Sequence, residues 1–251
     1  MNIRKPSFLL LVSFVALASL LVLGSCSTSK TTTSRKGTVG MALKAPDYKR
    51  IKKEIGSKDG EFYYPELLRR FQAADTTLTP EQIYHFYYGT ATRSDYNPYK
   101  TSNYNDLNEA LSGDTITQED WRRAAQVVEK ELETDPTNLR FHLYKQYVYS
   151  NLYGKEAEET VNAYIQVVML FSAIASSGNG KSPETAFHVI STTDEYGLME
   201  LLGFSPKSQS LMEKHGRSYD LMELKENEYG LESMYFDVTI CLEALHKSLG
   251  F

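Results

Sequence analysis

Cysteine is scarce in this chain: 251 residues include two, Cys26 and Cys241. That scarcity rules out a disulfide scaffold and leaves the core to apolar burial. With 41% hydrophobic and 12% aromatic residues, the chain has the side chains to supply it. Positive charge is also short, since 27 Lys and Arg against 32 Asp and Glu give a net charge of −5. A mildly acidic chain without a basic stripe argues against a nucleic-acid partner.

Catalytic signatures are missing as well. There is no Gly-x-Ser-x-Gly elbow, which removes the common serine-hydrolase arrangement. His85, His142, His188, His215 and His246 are scattered, and no His-Glu-x-x-His pair occurs. Glu243 and His246 have Glu-x-x-His spacing, but di-iron bundles use that element twice and no second copy exists. Gly178-Asn179-Gly180-Lys181-Ser182 looks like the end of a phosphate-binding loop. Ala175 stands where its first glycine belongs, however, and Pro183 follows closely, so the stretch reads as a helix-to-strand connection. No nucleotide, metal or other cofactor is expected. Cys241, just past an apolar strand, reads as a buried, inert thiol. A Cys-His nucleophile would need His215 or His246 beside it and a positive environment.

What the chain does have begins at its amino end. Arg4 and Lys5 precede an almost unbroken apolar run from Phe8 to Leu23, which ends in Leu23-Gly24-Ser25-Cys26. A run of this length followed by small residues reads as a secretory signal, because a spanning helix needs about 20 apolar residues. The last four residues resemble the lipobox of bacterial lipoproteins, in which cleavage precedes the cysteine and its sulfur takes a diacylglyceryl group. Residues 1–25 are therefore expected to be removed, with Cys26 as the lipid attachment site and the membrane as a partner through that lipid. The Ser/Thr-rich stretch 26–46 lacks hydrophobic periodicity and reads as a tether. Surface-exported lipoproteins of some bacteria carry an acidic run after the cysteine. Ser27-Thr28-Ser29-Lys30 is not one, which favours a periplasm-facing, membrane-anchored location in the cell envelope.

Residues 47–251 read as a single α+β domain. Its helical part, about 47–177, opens with Tyr48, Ile51 and Ile55 at helical spacing, in a helix ending by Gly56. Thr79-Pro80-Glu81-Gln82 starts a further helix as a capping box with proline in its first turn, and Gly89 is expected to stop it. Thr117 and Asp120 cap another helix, and Asp135-Pro136 is expected to cap the one after. Leu139, Leu143 and Tyr147 form one stripe of that helix, and Phe141, Tyr144 and Val148 a second. This helical hairpin is loosely similar to a tetratricopeptide unit, with no second copy at that period. From Gly178 the period shortens. A strand over 186–190, a hairpin about His215-Gly216 and a strand over 234–240 predict a small, mostly antiparallel β-sheet, with a C-terminal helix closing the part at about 178–251.

The most unusual stretch is 62–99, which holds Tyr63, Tyr64, Tyr84, Tyr87, Tyr88, Tyr96 and Tyr99. Two readings stand side by side. Tyrosines can form core with hydroxyls reaching backbone groups, or they can offer flat apolar area with a polar tip to a peptide, glycan or protein. On the second reading Tyr87, Tyr88, Asp95, Tyr96 and Tyr99 form the candidate binding surface, around one helix end and the turn after it.

The strings YYPELLRRF, DTTLT, HFYYG, DYNPY, SSGNGKSPETAFHVIS, DEY and KENEYGLESMYFDV resemble, in the same order, a bacterial family known as domain of unknown function 4919. The resemblance runs from about Asp47 to the end of the chain. It implies an exported bacterial protein and supplies no activity, cofactor or catalytic residue. Taken together, the sequence predicts a lipid-anchored envelope protein that binds or scaffolds another envelope component, a protein or a glycan. The competing expectation is an envelope hydrolase acting on glycan or peptide with Asp, Glu and Tyr residues of 63–99.

Overall fold

A computed structural model of the chain describes residues 44–100 and 102–250. The leader expected at 1–25, Cys26 and most of the expected tether lie outside the described residues. Among the described residues are nine α-helices and four strands, an α+β fold in which the helices come first and a C-terminal helix closes the chain. The helices are α1 (Tyr48–Ile55), α2 (Tyr64–Gln72), α3 (Pro80–Thr90), α4 (Tyr104–Ala110), α5 (Gln118–Thr134), α6 (Leu139–Leu152) and α7 (Glu158–Ala175). After them come β1 (Phe187–His188), α8 (Thr192–Leu201), β2 (Pro206–Lys214), β3 (Arg217–Leu224), β4 (Ser233–Asp237) and α9 (Thr239–Ser248).

Local chemistry explains most boundaries. The Asp47 carboxylate accepts from the Arg50 amide and starts α1. Thr79 and Gln82 form the expected reciprocal capping box, with Pro80 at the first position of α3. Thr117 and Asp120 do the same for α5. Two starts and stops differ from the sequence reading. Asn138, not Asp135, caps α6, its side chain accepting from the Phe141 amide while Asp135 braces it from 3.1 Å. Helix α3 does not stop at Gly89 but runs through it to Thr90. A Cβ on that glycine would sit 3.1 Å from Ile55 Cγ2, so the missing side chain lets α1 lie close against α3.

The sheet has the order β1-β4-β3-β2, with β2-β3-β4 antiparallel and short β1 parallel to β4. His215 and Gly216, both at positive φ, make the expected hairpin turn between β2 and β3. Strand β4 ends at Asp237, earlier than the alternation predicted. The Asp237 carboxylate accepts from the Thr239 amide at 3.1 Å and turns the chain into α9.

Two apolar cores result. The larger joins α1, α2, α3, one face of α6, α7, α8 and the sheet; the smaller joins α4, α5 and the other face of α6. The two stripes of α6 serve them separately. Leu139 and Leu143 enter the larger core, and Phe141 and Val148 the smaller. Helix α3 is buried on every side from Gln82 to Gly89, as expected of a helix apolar all round.

Candidate functional site

The tyrosines of 62–99 divide by depth. Tyr87 and Tyr88 carry no exposed area, so they are core, and the expected binding surface loses both. Their helix is enclosed on all sides, and each hydroxyl finds a distant partner. Tyr87 donates to Asp194 Oδ2 at 2.7 Å, and Tyr88 donates to the His188 carbonyl at 3.0 Å. The other three expected residues lie further out. Tyr96 is half-buried, with its hydroxyl donating to the Ile190 carbonyl at 2.6 Å, and Asp95 is exposed. Tyr99 keeps 40% of its surface in solvent.

Around Tyr96 and Tyr99 the fold gathers residues from four later elements that sequence spacing did not connect. Ser191 caps α8, whose first turn carries Asp194 and Glu195 into the interior with no exposed area. Asp194 is satisfied by the Tyr87 hydroxyl and by the Leu139 amide at 3.1 Å. Burial nevertheless pushes its carboxyl up to about 7, with Asp135 adding to the shift and the Tyr87 hydroxyl opposing it. Glu195 differs, because no donor among the described residues satisfies its carboxyl oxygens, and its polar neighbour is the Asp220 carboxylate, to which only a protonated Glu195 can donate. Burial holds its pKa well above the usual carboxylate range, and the neighbouring charges of Asp220 and Asp194 raise it further. Two buried acids side by side cannot both ionise cheaply, so Glu195 holds its proton at neutral pH.

A polar chain leads outward from this pair. Asp220 on β3 accepts from Gln209 Nε2 at 2.7 Å, and Gln209 Oε1 accepts from the Tyr196 hydroxyl at 2.7 Å. Gln209 is exposed and Tyr196 half-buried. The Tyr196 ring also lies 5.7 Å from the Arg140 guanidinium, which sits 5.2 Å from the Tyr104 ring and 5.7 Å from that of Tyr144. Tyr99 stands within electrostatic reach of Cys241, Asp220 and Glu195; burial first, then those groups, push its hydroxyl up to about 12. The cluster therefore has a protonated carboxyl inside and a rim of tyrosine and glutamine facing water. Chemically, a protonated Glu195 can donate a hydrogen bond or a proton.

Other candidates come apart. Asp75 is half-buried and bound by Thr77 and Arg70, which hold it down to about 2, and Arg93 likewise lowers Asp95. Both are ionised at neutral pH and cannot act as proton donors. The Asn179 and Gly180 amides both donate to the Thr185 carbonyl at 2.8 Å, so the loop that looked like a phosphate cradle spends its donors on itself. Gly178 is there for space: a Cβ would lie 2.1 Å from the Ala186 carbonyl oxygen. Cys241 is fully buried, and burial raises its thiol pKa, which keeps it un-ionised. Glu243 and His246 lie exposed on α9. No three His, Cys, Asp or Glu side chains are grouped as metal ligands among the described residues, and no described helix is long and apolar enough to cross a membrane.

No sequence signal pointed to Glu195, Asp220 or Gln209. Asp194-Glu195 at a helix start reads as an exposed acidic first turn, the usual match to the helix dipole. Comparisons with known proteins bear on the whole domain. No curated protein and no solved structure matches the chain. The family profile described as Domain of unknown function (DUF4919) matches residues 49–247, and the chain belongs to that family.

Proposed function

We propose that the protein is a lipid-anchored, periplasm-facing bacterial envelope protein, held through Cys26, that works as a binding module for another envelope component. Its contact surface is the rim of Tyr99, Tyr196 and Gln209 beside the Glu195–Asp220 pair. One observation carries this reading: the wholly buried Glu195 carboxyl has no donor to satisfy it and faces the Asp220 carboxylate, beside tyrosines that keep part of their rings in solvent. A buried carboxyl with no donor to satisfy it costs about 1–3 kcal/mol, and a role in binding or catalysis is one reason for a protein to keep it. The lipobox-like Leu23-Gly24-Ser25-Cys26 supports the anchor and the location.

The test is co-purification from membranes with the anchor intact, comparing the native chain with Tyr99→Ala and Glu195→Gln. Partner capture that disappears in both variants at unchanged melting temperature supports the reading; capture that survives in both overturns it. Cys26→Ser should move the protein out of the membrane fraction, and persistence there refutes the anchor. A second reading, an envelope hydrolase acting on glycan or peptide, draws on a specific observation too: Glu195 kept protonated beside Asp220 has the form of a general acid. In that case Glu195→Gln abolishes turnover of envelope glycan or peptide fragments while leaving their binding intact.

A further inference from the structure

Charge is distributed very unevenly along the chain. Residues 59–251 hold 16 basic and 30 acidic side chains, whereas residues 44–58 hold six basic (Lys44, Lys49, Arg50, Lys52, Lys53 and Lys58) and two acidic. Four of the six fall within the eight residues of α1. That helix is fixed from behind, with Ile51 and Ile55 buried in the larger core and Gly89 of α3 tight against Ile55. Its outer face is consequently a rigid display of Lys49, Arg50, Lys52 and Lys53, all exposed. Arg50 is engaged by Glu54 at 2.8 Å, but Lys49, Lys52 and Lys53 form no ion pair among the described residues. Asp47, Lys49, Arg50, Lys53 and Glu54 line an open depression of about 440 Å³. Lysines in the last turn complement the helix dipole, which accounts for Lys52 and Lys53 but not for Lys49.

We infer that the outer face of α1 docks on the headgroups of an anionic phospholipid bilayer. Complementary charge picks the partner, and the position of α1 supports it. It is the first element of the described chain, following directly on the stretch from Cys26, which adds Lys30, Arg35 and Lys36 with no acidic residue. A basic segment next to a lipid anchor is drawn to anionic lipid, while the acidic remainder is repelled by it. The two effects together orient the domain with α1 against the membrane. The inference rests on the anchored reading above for its setting, yet it concerns a surface that can be measured without any lipid on Cys26.

The experiment uses residues 26–251 with Cys26→Ser, a chain that retains both apolar cores. It is sedimented with phosphatidylcholine vesicles, either pure or containing about 30% phosphatidylglycerol, at low and high salt. The protein is expected to sediment with the anionic vesicles alone, and less so at high salt. The triple variant Lys49→Gln, Lys52→Gln, Lys53→Gln should partition roughly a hundredfold more weakly. A control triple of equal charge change elsewhere, Lys155→Gln, Lys181→Gln, Lys207→Gln, should differ from the parent by less than about twofold. Absence of binding, equal binding to both vesicle types, or equal loss in the control would each overturn the inference. Circular dichroism confirms that the variants are folded. Failure here leaves the Cys26→Ser fractionation result untouched, so the anchor and the docking face stand or fall separately.

Discussion

Asp194 gives a quantitative handle on the interior of the candidate site. Its carboxyl ionises near 3.8 in an unfolded chain and near 7 in the folded one, where burial disfavours the charge. Between those values the folded state holds a proton that the unfolded state has released. Stability therefore falls as pH rises through the window, by about 1.4 kcal/mol per pH unit for one such group. Glu195 acts in the same direction from its ordinary value of 4.5 upward. His142 and His188 act oppositely. Burial lowers both from 6.5 to about 4, so between those values the unfolded imidazoles take protons that the folded ones refuse. Asp135, also raised by burial, acts with the other two acids, so acids and histidines oppose one another over that interval. Subtraction isolates Asp194. In Asp194→Asn an amide replaces the titrating group, at a pH-independent loss of about 1–3 kcal/mol because one amide oxygen cannot accept from both the Tyr87 hydroxyl and the Leu139 amide. The advantage of the native chain over this variant should then shrink by roughly 3 kcal/mol between pH 4.5 and pH 7. Urea unfolding followed by circular dichroism at half-unit pH steps reads this from the midpoint and slope. A difference that stays constant with pH, or widens as pH rises, would refute the assignment of a proton to buried Asp194.

Three further tests address individual contacts. Tyr87→Phe removes the donor to Asp194 and the acceptor for the Ile190 amide at 3.3 Å, and should cost about 2–3 kcal/mol, lowering the melting temperature by several degrees. Gly178→Ala drives a methyl into the Ala186 carbonyl; loss of at least about 3 kcal/mol is expected, and a neutral result would mean that the loop is built differently. Cys241, buried with a raised pKa, should resist iodoacetamide in the native protein at pH 8 and react promptly in urea, so fast native labelling would contradict its placement.

Much of the architecture was legible because it is written in short-range chemistry. The capping boxes at Thr79–Gln82 and Thr117–Asp120, the His215-Gly216 turn and the two stripes of α6 each depend on near neighbours in sequence and were read correctly, except that Tyr147 leaves its stripe and meets Trp121 beside the smaller core. The errors have a common cause. Gly89 looks like a stop when its neighbours in sequence are considered, and becomes a packing glycine only once α1 is known to lie against it. Val238, Thr239 and Ile240 look like a continuing strand until the Asp237 carboxylate is seen accepting from the Thr239 amide. Tyr87 and Tyr99 are the same side chain, one inside α3 and one in the turn after it, and the enclosure of α3 places the first in the core while the second stays at the rim. The Glu195–Asp220–Gln209 cluster joins α8, β3 and β2, whose meeting no spacing rule encodes.

The two-sided helix α6 has a consequence for how the chain comes together. The smaller core draws on Leu107 through Val148, one continuous stretch, so it can close as soon as that stretch is available. The larger core needs Ile51 at one end and Cys241 at the other. Local contacts form quickly and distant ones slowly. One flank of α6 is thus covered early, while Leu139 and Leu143 on the other wait for α7 and α8, which come later in the chain. That interval is a period of sticky, half-finished surface, the state in which aggregation competes with folding.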